Sequence, residues 1–388
     1  MKIKPFAIEE WMNEYEHDAV YNLAETCVDS LSLEELITIS GENYDDFFRS
    51  IADKKLTYGY ITGSPGFKEN VARLYKTMKP ENILSMNGAI GANFLVLYSL
   101  IEPGDEVVCV DPTYQQLHSV PESFGATVKR LRLTEENNFL PDLDELDTVV
   151  NSKTKLIIIN NPNNPTGSVM DCSYLTKIVE IARNNDAYIL CDEVYRGLWQ
   201  EPDAQIPAIA DLYEKGISTG SMSKSLSLAG LRLGWIAASE DVIKSCLTRR
   251  DYSTISNGLI DDVLAVHALK NYDKVMDRNL KIVRDNLQIL DEWIVGEEKI
   301  SYIKPKGGTT AILKYNVNVS SEEFCIKLYN ESGTFLAPGS CFDLEGTVRI
   351  GYACSTNVLQ DGLRKLSEYL RGLSKSGVAA TSYPSLEV

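Results

Sequence analysis

Three stretches of the chain share one arrangement: an unbroken apolar run rich in β-branched residues, then a turn of Gly, Pro or Asn, then residues at helical spacing. They are "DEVVCVDPTY" (105–114), "TKLIIINNPNNPTG" (154–167) and "DAYILCDEVY" (186–195). Continuous rather than alternating hydrophobicity predicts strands buried on both faces, as in a parallel sheet covered by helices. Between the strands, "GAIGANFLVLYSLI" is halted by Pro103-Gly104 and "CSYLTKIVEIARNN" ends in Asn and Asp, so both read as helices. The alternation predicts an α/β domain with a mostly parallel central sheet over about residues 45–280.

The pattern then changes. From about residue 281 the charged helix "KIVRDNLQILDEWI" leads into "KISYIKPKGGTTAILKYN" and "TFLAPGSCFDLEGTVRIGYAC", short strands joined by Gly and Pro turns, with a closing helix near "LQDGLRKLSEYLRGL". This predicts a smaller α+β domain over 281–388. Residues 1–44 read as an N-terminal arm that packs with it. The tail "SKSGVAATSYPSLEV" is small and polar and is expected to be disordered.

With 388 residues, 44% of them hydrophobic and 24% charged, the chain is long enough for two globular domains. A formal charge of -17 repels phosphate and argues against nucleic-acid and anionic-membrane partners. No apolar run has the length of a membrane helix, and "MKIKPFAIEEWMNEYEHD" is too acidic and broken for a signal peptide, so a cytoplasmic protein is expected. The eight cysteines include no CxxC pair and are expected to be reduced and structural. His17, His118 and His267 lie far apart, without metal-ligand spacing, which disfavours zinc and Ser/His/Asp chemistry.

The candidate chemistry gathers around "STGSMSKSLSLAGLRLGWIAAS" (218–239). Lys224 sits among small residues, with Ser221 and Ser223 beside it and Arg232 between Gly230 and Gly234. Serine hydroxyls and a guanidinium suit a phosphate dianion, and small residues allow close approach. A lysine amine can bond a carbonyl when a nearby cation lowers its pKa. In "SMNGAIGANFLVL", Gly88, Ala89 and Ile90 open a helix whose backbone N–H groups can meet an anion. Parallel sheets take ligands at the carboxyl ends of their strands, where Tyr114, Asn164 and Asp192 fall. Asp192 there is costly unless paired, and a pyridinium nitrogen would pair it. Tyr195 lies three residues on, Asn164 is fixed between Pro162 and Pro165, and Tyr114 offers a flat face. Each has a plainer reading: a solvated lysine, a helix cap at Asp192, a core tyrosine at 114.

Taken together, "NNPNNPTG", "DEVY" and "SMSKSLSLAGLRLGW" resemble the class I/II aminotransferases, fold-type I enzymes dependent on pyridoxal 5'-phosphate; the resemblance runs from about Tyr58 to Ala353. It implies that Lys224 bonds the cofactor and then moves the substrate's α-proton, and that Asp192 partners the pyridine nitrogen. It further implies that Asn164 and Tyr195 donate to the phenolic oxygen, and that Tyr114 stacks on the ring. Gly88, Ala89, Ile90, Ser221, Ser223 and Arg232 would cradle the phosphate. Arg349 in "TVRIGYA" matches the clamp for the substrate α-carboxylate, with Asn164 beside it. Tyr58 matches a tyrosine that reaches the neighbouring subunit's phosphate, implying a homodimer with active sites at the interface and a small amino acid as substrate.

One region departs from that pattern. Transaminating members carry a Gly-x-Pro-Asp-like stretch near the N-terminus, whereas this chain has Glu25-Thr26 in its place. The arm also holds Glu9, Glu10, Glu14, Glu16 and Asp18. One reading is an amphipathic helix with Trp11 and Tyr15 inward and the acids in water. The other is a lid on which Glu9, Glu25 and Thr26 contact the substrate and the carboxylates read a cationic end. The arm resembles that of the capreomycidine- and enduracididine-forming cyclodehydratases of the family. That implies ring closure of a hydroxylated arginine, with ordinary transfer of an amino group from an amino acid to a 2-oxo acid as the alternative.

Overall fold

A computed structural model describes residues 2–375. Its centre is a seven-stranded sheet in the order Ile83–Met86, Gly234–Ala237, Gly216–Ser221, Tyr188–Asp192, Thr154–Asn160, Glu106–Asp111, Thr127–Arg132. The last five pair in parallel, and Gly234–Ala237 is antiparallel to both of its neighbours. The unbroken apolar runs have the cause that the sequence implies. In Thr154–Asn160, Leu156 and Ile158 face one hydrophobic cluster while Ile157 and Ile159 face another, so alternate side chains are buried on opposite faces of one sheet. Helices Gly88–Leu100 and Cys172–Asn184 flank it, the second capped by Asp171 accepting from the Tyr174 N–H.

A second, antiparallel sheet orders Ala337–Pro338, Thr347–Gly351, Thr310–Tyr315 and Ile300–Tyr302, with helices Ser321–Ser332 and Thr356–Lys375. The helix expected from residue 281 starts at Tyr272 and continues to Val295 without a break. The closing helix also runs through Ser374 and Lys375, into the stretch expected to lack structure. The rest of that stretch, 376–388, lies outside the described residues.

The N-terminal arm joins the second sheet's side of the molecule. Helix Ala7–Tyr15 buries Ile8 and Trp11, and the Trp11 indole N–H donates to the Leu336 carbonyl at 2.9 Å. Tyr21–Asn22 then pairs in parallel with Thr334–Phe335. The chain passes on through Leu23 and Ala24, both fully buried, to Glu25. Among the described residues no helix is long and apolar enough to cross a membrane, and no group of three or more His, Cys, Asp or Glu side chains could hold a metal.

Candidate active site

The carboxyl ends of the parallel strands open into a cavity of about 310 Å³, closed above by the arm and flanked by Arg349 of the second sheet. Ala89, Ile90, Tyr114, Asn164, Asp192, Tyr195, Ser221, Ser223, Lys224 and Arg232 all line it, with Arg349, Glu9, Glu25 and Thr26. Strand ends, one helix start and the arm thus bring residues from distant parts of the sequence onto one small volume.

At one end the geometry suits an anion. Helix Gly88–Leu100 begins with no side-chain cap, so its first N–H groups are left to other partners. Gly88 has φ of 69°, and a Cβ there would stand 3.0 Å from the Arg232 guanidinium. Across from it, a Cβ on Gly234 would fall 2.5 Å from the Gly88 carbonyl carbon, so this close approach requires glycine. Ser221 Oγ accepts from the Ser223 N–H at 2.9 Å and donates to Ser223 Oγ at 2.8 Å. Arg232 donates to the Ala229 carbonyl at 2.8 Å, and no carboxylate pairs with it among the described residues.

Asp192 ends its strand in the cavity and is only 5% exposed. It accepts from Asn93 Nδ2 at 2.8 Å and from the Val194 N–H at 3.2 Å, but forms no ion pair among the described residues. Burial pushes its carboxyl above the ordinary aspartate range, against the pull of Asn93, the Val194 N–H and Lys224. Arg349 is 3% exposed, donates to Asn164 Oδ1 at 3.2 Å and to the Ala24 carbonyl at 2.9 Å, and leaves its Nε without a partner. With its oxygen taken by Arg349, the Asn164 amide has its N–H groups left to donate elsewhere. A buried aspartate and a buried arginine without ion pairs among the described residues, and an uncapped helix start beside a guanidinium that no carboxylate meets there, call for a cation and two anions. Pyridoxal 5'-phosphate with an amino-acid substrate supplies a protonated ring nitrogen, a phosphate and a carboxylate, so the residues present fit the cofactor.

The surroundings of Lys224 correct one expectation. Its Nζ donates to Thr26 Oγ1 at 2.7 Å and to Cys27 Sγ at 3.5 Å. Burial pushes the ammonium's pKa down, but Cys27, Tyr195 and Glu25 outweigh that and raise it rather than lower it. At neutral pH the Cys27 thiol, pushed up to about 11 by burial, and the buried Tyr195 phenol are uncharged, so Glu25 is the anion whose field favours the ammonium, without a direct ion pair among the described residues. Burial alone would push Glu25 up too, but Lys224 and the backbone N–H groups of Cys27 and Thr26, at 2.7 and 2.6 Å, leave it below the ordinary range. Among the protein's own groups, then, the largest influences on Lys224 raise its pKa, and no arginine is among them.

The arm forms the expected amphipathic helix, but not all of its acids face water. Trp11 packs inward, and Glu10, Glu14 and Asp18 are exposed. Glu9, however, turns to the cavity and accepts the Tyr114 hydroxyl at 2.7 Å, while Phe6 lies 4.8 Å from the Tyr114 ring. Glu16 lines the cavity as well and was not singled out from sequence; its place on one helix face with Glu9 and Met12, three and four residues apart, was the available signal. Burial, with the negative charge of Glu25, pushes its carboxyl up, opposed by Asn22 Nδ2 donating at 3.1 Å. Asn93, Cys27 and Asn160 were likewise missed. Tyr58 is not brought into this cavity: it is 72% exposed and lines a shallow surface with the exposed Leu56 and Ile255.

Comparison with known proteins agrees with this geometry. The family model described as aminotransferase class I and II matches residues 33–366. Capreomycidine synthase of Streptomyces vinaceus is 28% identical, over 94% of this chain and 93% of that protein. Aspartate aminotransferase of Pyrococcus horikoshii is 31% identical, over 80% of this chain and 82% of its own. A crystal structure of a PLP-dependent aminotransferase from Streptococcus suis superposes with a TM-score of 0.94 at 47% identity, covering 96% of this chain and 99% of that one.

Proposed function

The chain belongs to the aminotransferase class I and II family, and we propose that within it the protein is a cyclodehydratase acting on a hydroxylated arginine of the γ-hydroxyarginine type. Its fold is that of the pyridoxal 5'-phosphate enzymes and its cofactor is pyridoxal 5'-phosphate. The observation that carries the narrower reading is the set of three carboxylates, Glu9, Glu16 and Glu25, which the arm turns into the cavity that also holds Arg349. None of the three forms a salt bridge among the described residues. An amino acid with a guanidinium at its far end would satisfy both sides of this site. The capreomycidine synthase relative supports the same reading.

Bound in the cavity, the cofactor supplies an electron sink that makes the substrate's α-proton removable. The chain's own residues divide the remaining work. Arg349 holds the α-carboxylate through two parallel N–H groups and thereby fixes the α-carbon. Lys224 Nζ, released from Thr26 and Cys27 and acting as the neutral amine, takes the proton from that carbon. The carboxylates of the arm hold the guanidine over the side chain and cover the cavity against water. Over the whole reaction protons leave the α- and β-carbons, the γ-hydroxyl departs as water, a guanidine nitrogen bonds to the γ-carbon and gives up its proton, protons return to the α- and β-carbons, and no 2-oxo acid is consumed.

An aminotransferase passing an amino group from an amino acid to a 2-oxo acid is the second reading, supported by the Pyrococcus relative and the Streptococcus structure. A homodimer belongs to either reading: the exposed Leu56, Tyr58 and Ile255 line one shallow surface that a second copy would cover, bringing Tyr58 to the partner's phosphate site. Calorimetric titration of the cofactor-loaded enzyme with arginine and with citrulline, its uncharged analogue, tests the guanidine reading. Arginine should bind at least about ten-fold more tightly; equal affinities would contradict a charge-reading arm.

A further inference from the structure

Helix Gly88–Leu100 is apolar on nearly every side, and Asn93 is its one amide. The residue is 1% exposed, between Ala92 and the buried Leu95 and Val96. An amide is costly in such surroundings unless both ends are satisfied. Both are. Thr219, fully buried on strand Gly216–Ser221, donates its hydroxyl to Asn93 Oδ1 at 2.6 Å, and Asn93 Nδ2 donates to Asp192 Oδ2 at 2.8 Å.

The direction of this chain matters. With the threonine hydroxyl donating to the amide oxygen, the amide nitrogen must face the carboxylate; the reverse orientation would set an oxygen against an oxygen. Asp192 therefore meets two N–H donors, Asn93 on one oxygen and Val194 on the other, and both favour its ionised form. Asn93 is also the foremost of the interactions opposing the effect of burial on Asp192. The helix that carries Asn93 begins at Gly88, in the anion cradle, so one rigid element fixes both ends of the site, about 7.5 Å apart along its axis.

We propose that Thr219 and Asn93 are positioning residues that fix the Asp192 carboxylate as an acceptor aimed into the cavity and so set the protein's grip on the ring nitrogen of its cofactor. The proposal rests on the reading that Asp192 partners that nitrogen.

The test uses pyridoxamine 5'-phosphate, which has no aldehyde to bond Lys224 and so reports the non-covalent grip alone. Its dissociation constant is measured on cofactor-free wild type, Asn93→Leu, Thr219→Val, Thr219→Ser, Asp192→Ala and the double variant Asn93→Leu/Asp192→Ala. The proton on the ring nitrogen is followed by 15N NMR across pH. Asn93→Leu should weaken binding roughly ten-fold and Thr219→Val several-fold, with Thr219→Ser restoring it. In Asn93→Leu the ring nitrogen should lose its proton at lower pH than in wild type. In the Asp192→Ala background, Asn93→Leu should cost nothing further. Should Asn93→Leu fail to fold, the near-isosteric Thr219 pair carries the test. Unchanged binding in Asn93→Leu and Thr219→Val alongside a weak Asp192→Ala, or losses that add in the double variant, would overturn the positioning role. Wild-type affinity and ring protonation in Asp192→Ala would instead remove the reading of Asp192 on which it rests.

Discussion

Lys224 Nζ donates to Thr26 Oγ1 at 2.7 Å, which ties the lysine of the Ser221–Lys224 turn to the acidic arm. In Lys224→Ala, borohydride should no longer fix the cofactor covalently to the chain, while in wild type it should. Turnover should fall on the order of a thousand-fold or more. Peptide mapping after reduction places the linkage, and a linkage that survives in the variant would reassign the lysine.

Asp192 should be a stability burden in the cofactor-free protein. Its folded pKa is raised, so the ionisable side chain contributes stability that is complete below the ordinary aspartate value and lost as pH rises through the folded value. Asp192→Asn cannot ionise there. Its cofactor-free form should melt about 2 °C higher than wild type at neutral pH, with the gain vanishing below about pH 4. Its affinity for the cofactor should fall at the same time. Calorimetric melting of both proteins across pH measures this.

Much of this architecture was legible in the sequence, and the exceptions have physical causes. The strands through Val107, Ile157 and Ile189 were readable because both faces of the sheet are covered, which leaves an unbroken apolar run. The helix from Tyr272 was read nine residues short: its buried stripe of Val275, Met276, Asn279 and Val283 is interrupted by an asparagine and charges that hide the period. Pairing of Tyr21–Asn22 with Thr334–Phe335 depends on a partner far along the chain, and two residues carry no period. In the site, the residues that line the cavity were legible because they sit at strand ends and a helix start. The upward shift of Lys224 was not, since it depends on Cys27, Tyr195 and Glu25, two of which arrive through that distant pairing.

Glu9 and Glu16 should govern charge preference rather than chemistry. Glu9→Gln or Glu16→Gln should raise KM for a guanidino substrate about ten-fold with a smaller change in kcat. An uncharged ureido analogue should be affected far less. Steady-state kinetics on both substrates checks the difference, and equal losses would count against it.

Cys27 lies beside Lys224 yet should react slowly. Burial holds its thiol up at about 11, so little thiolate exists at neutral pH and alkylation should accelerate as pH rises toward that value. Cys172 is exposed and should be labelled first. Peptide mapping after timed iodoacetamide treatment separates the two.

Tyr58→Ala should weaken cofactor binding while leaving each subunit folded. If Tyr58 serves the partner's site, mixing Tyr58→Ala with Lys224→Ala should restore turnover, because a hybrid dimer holds one site with both native residues. Activity of the mixture against each parent checks this.

Mass spectrometry of the enzyme incubated with γ-hydroxyarginine and no 2-oxo acid tests the central claim most directly. A product lighter by one water, accumulating over many turnovers, is the predicted result. Unchanged substrate, or a 2-oxo acid formed once per active site and then only when an amino acceptor is added, would contradict cyclodehydration and make the protein an aminotransferase.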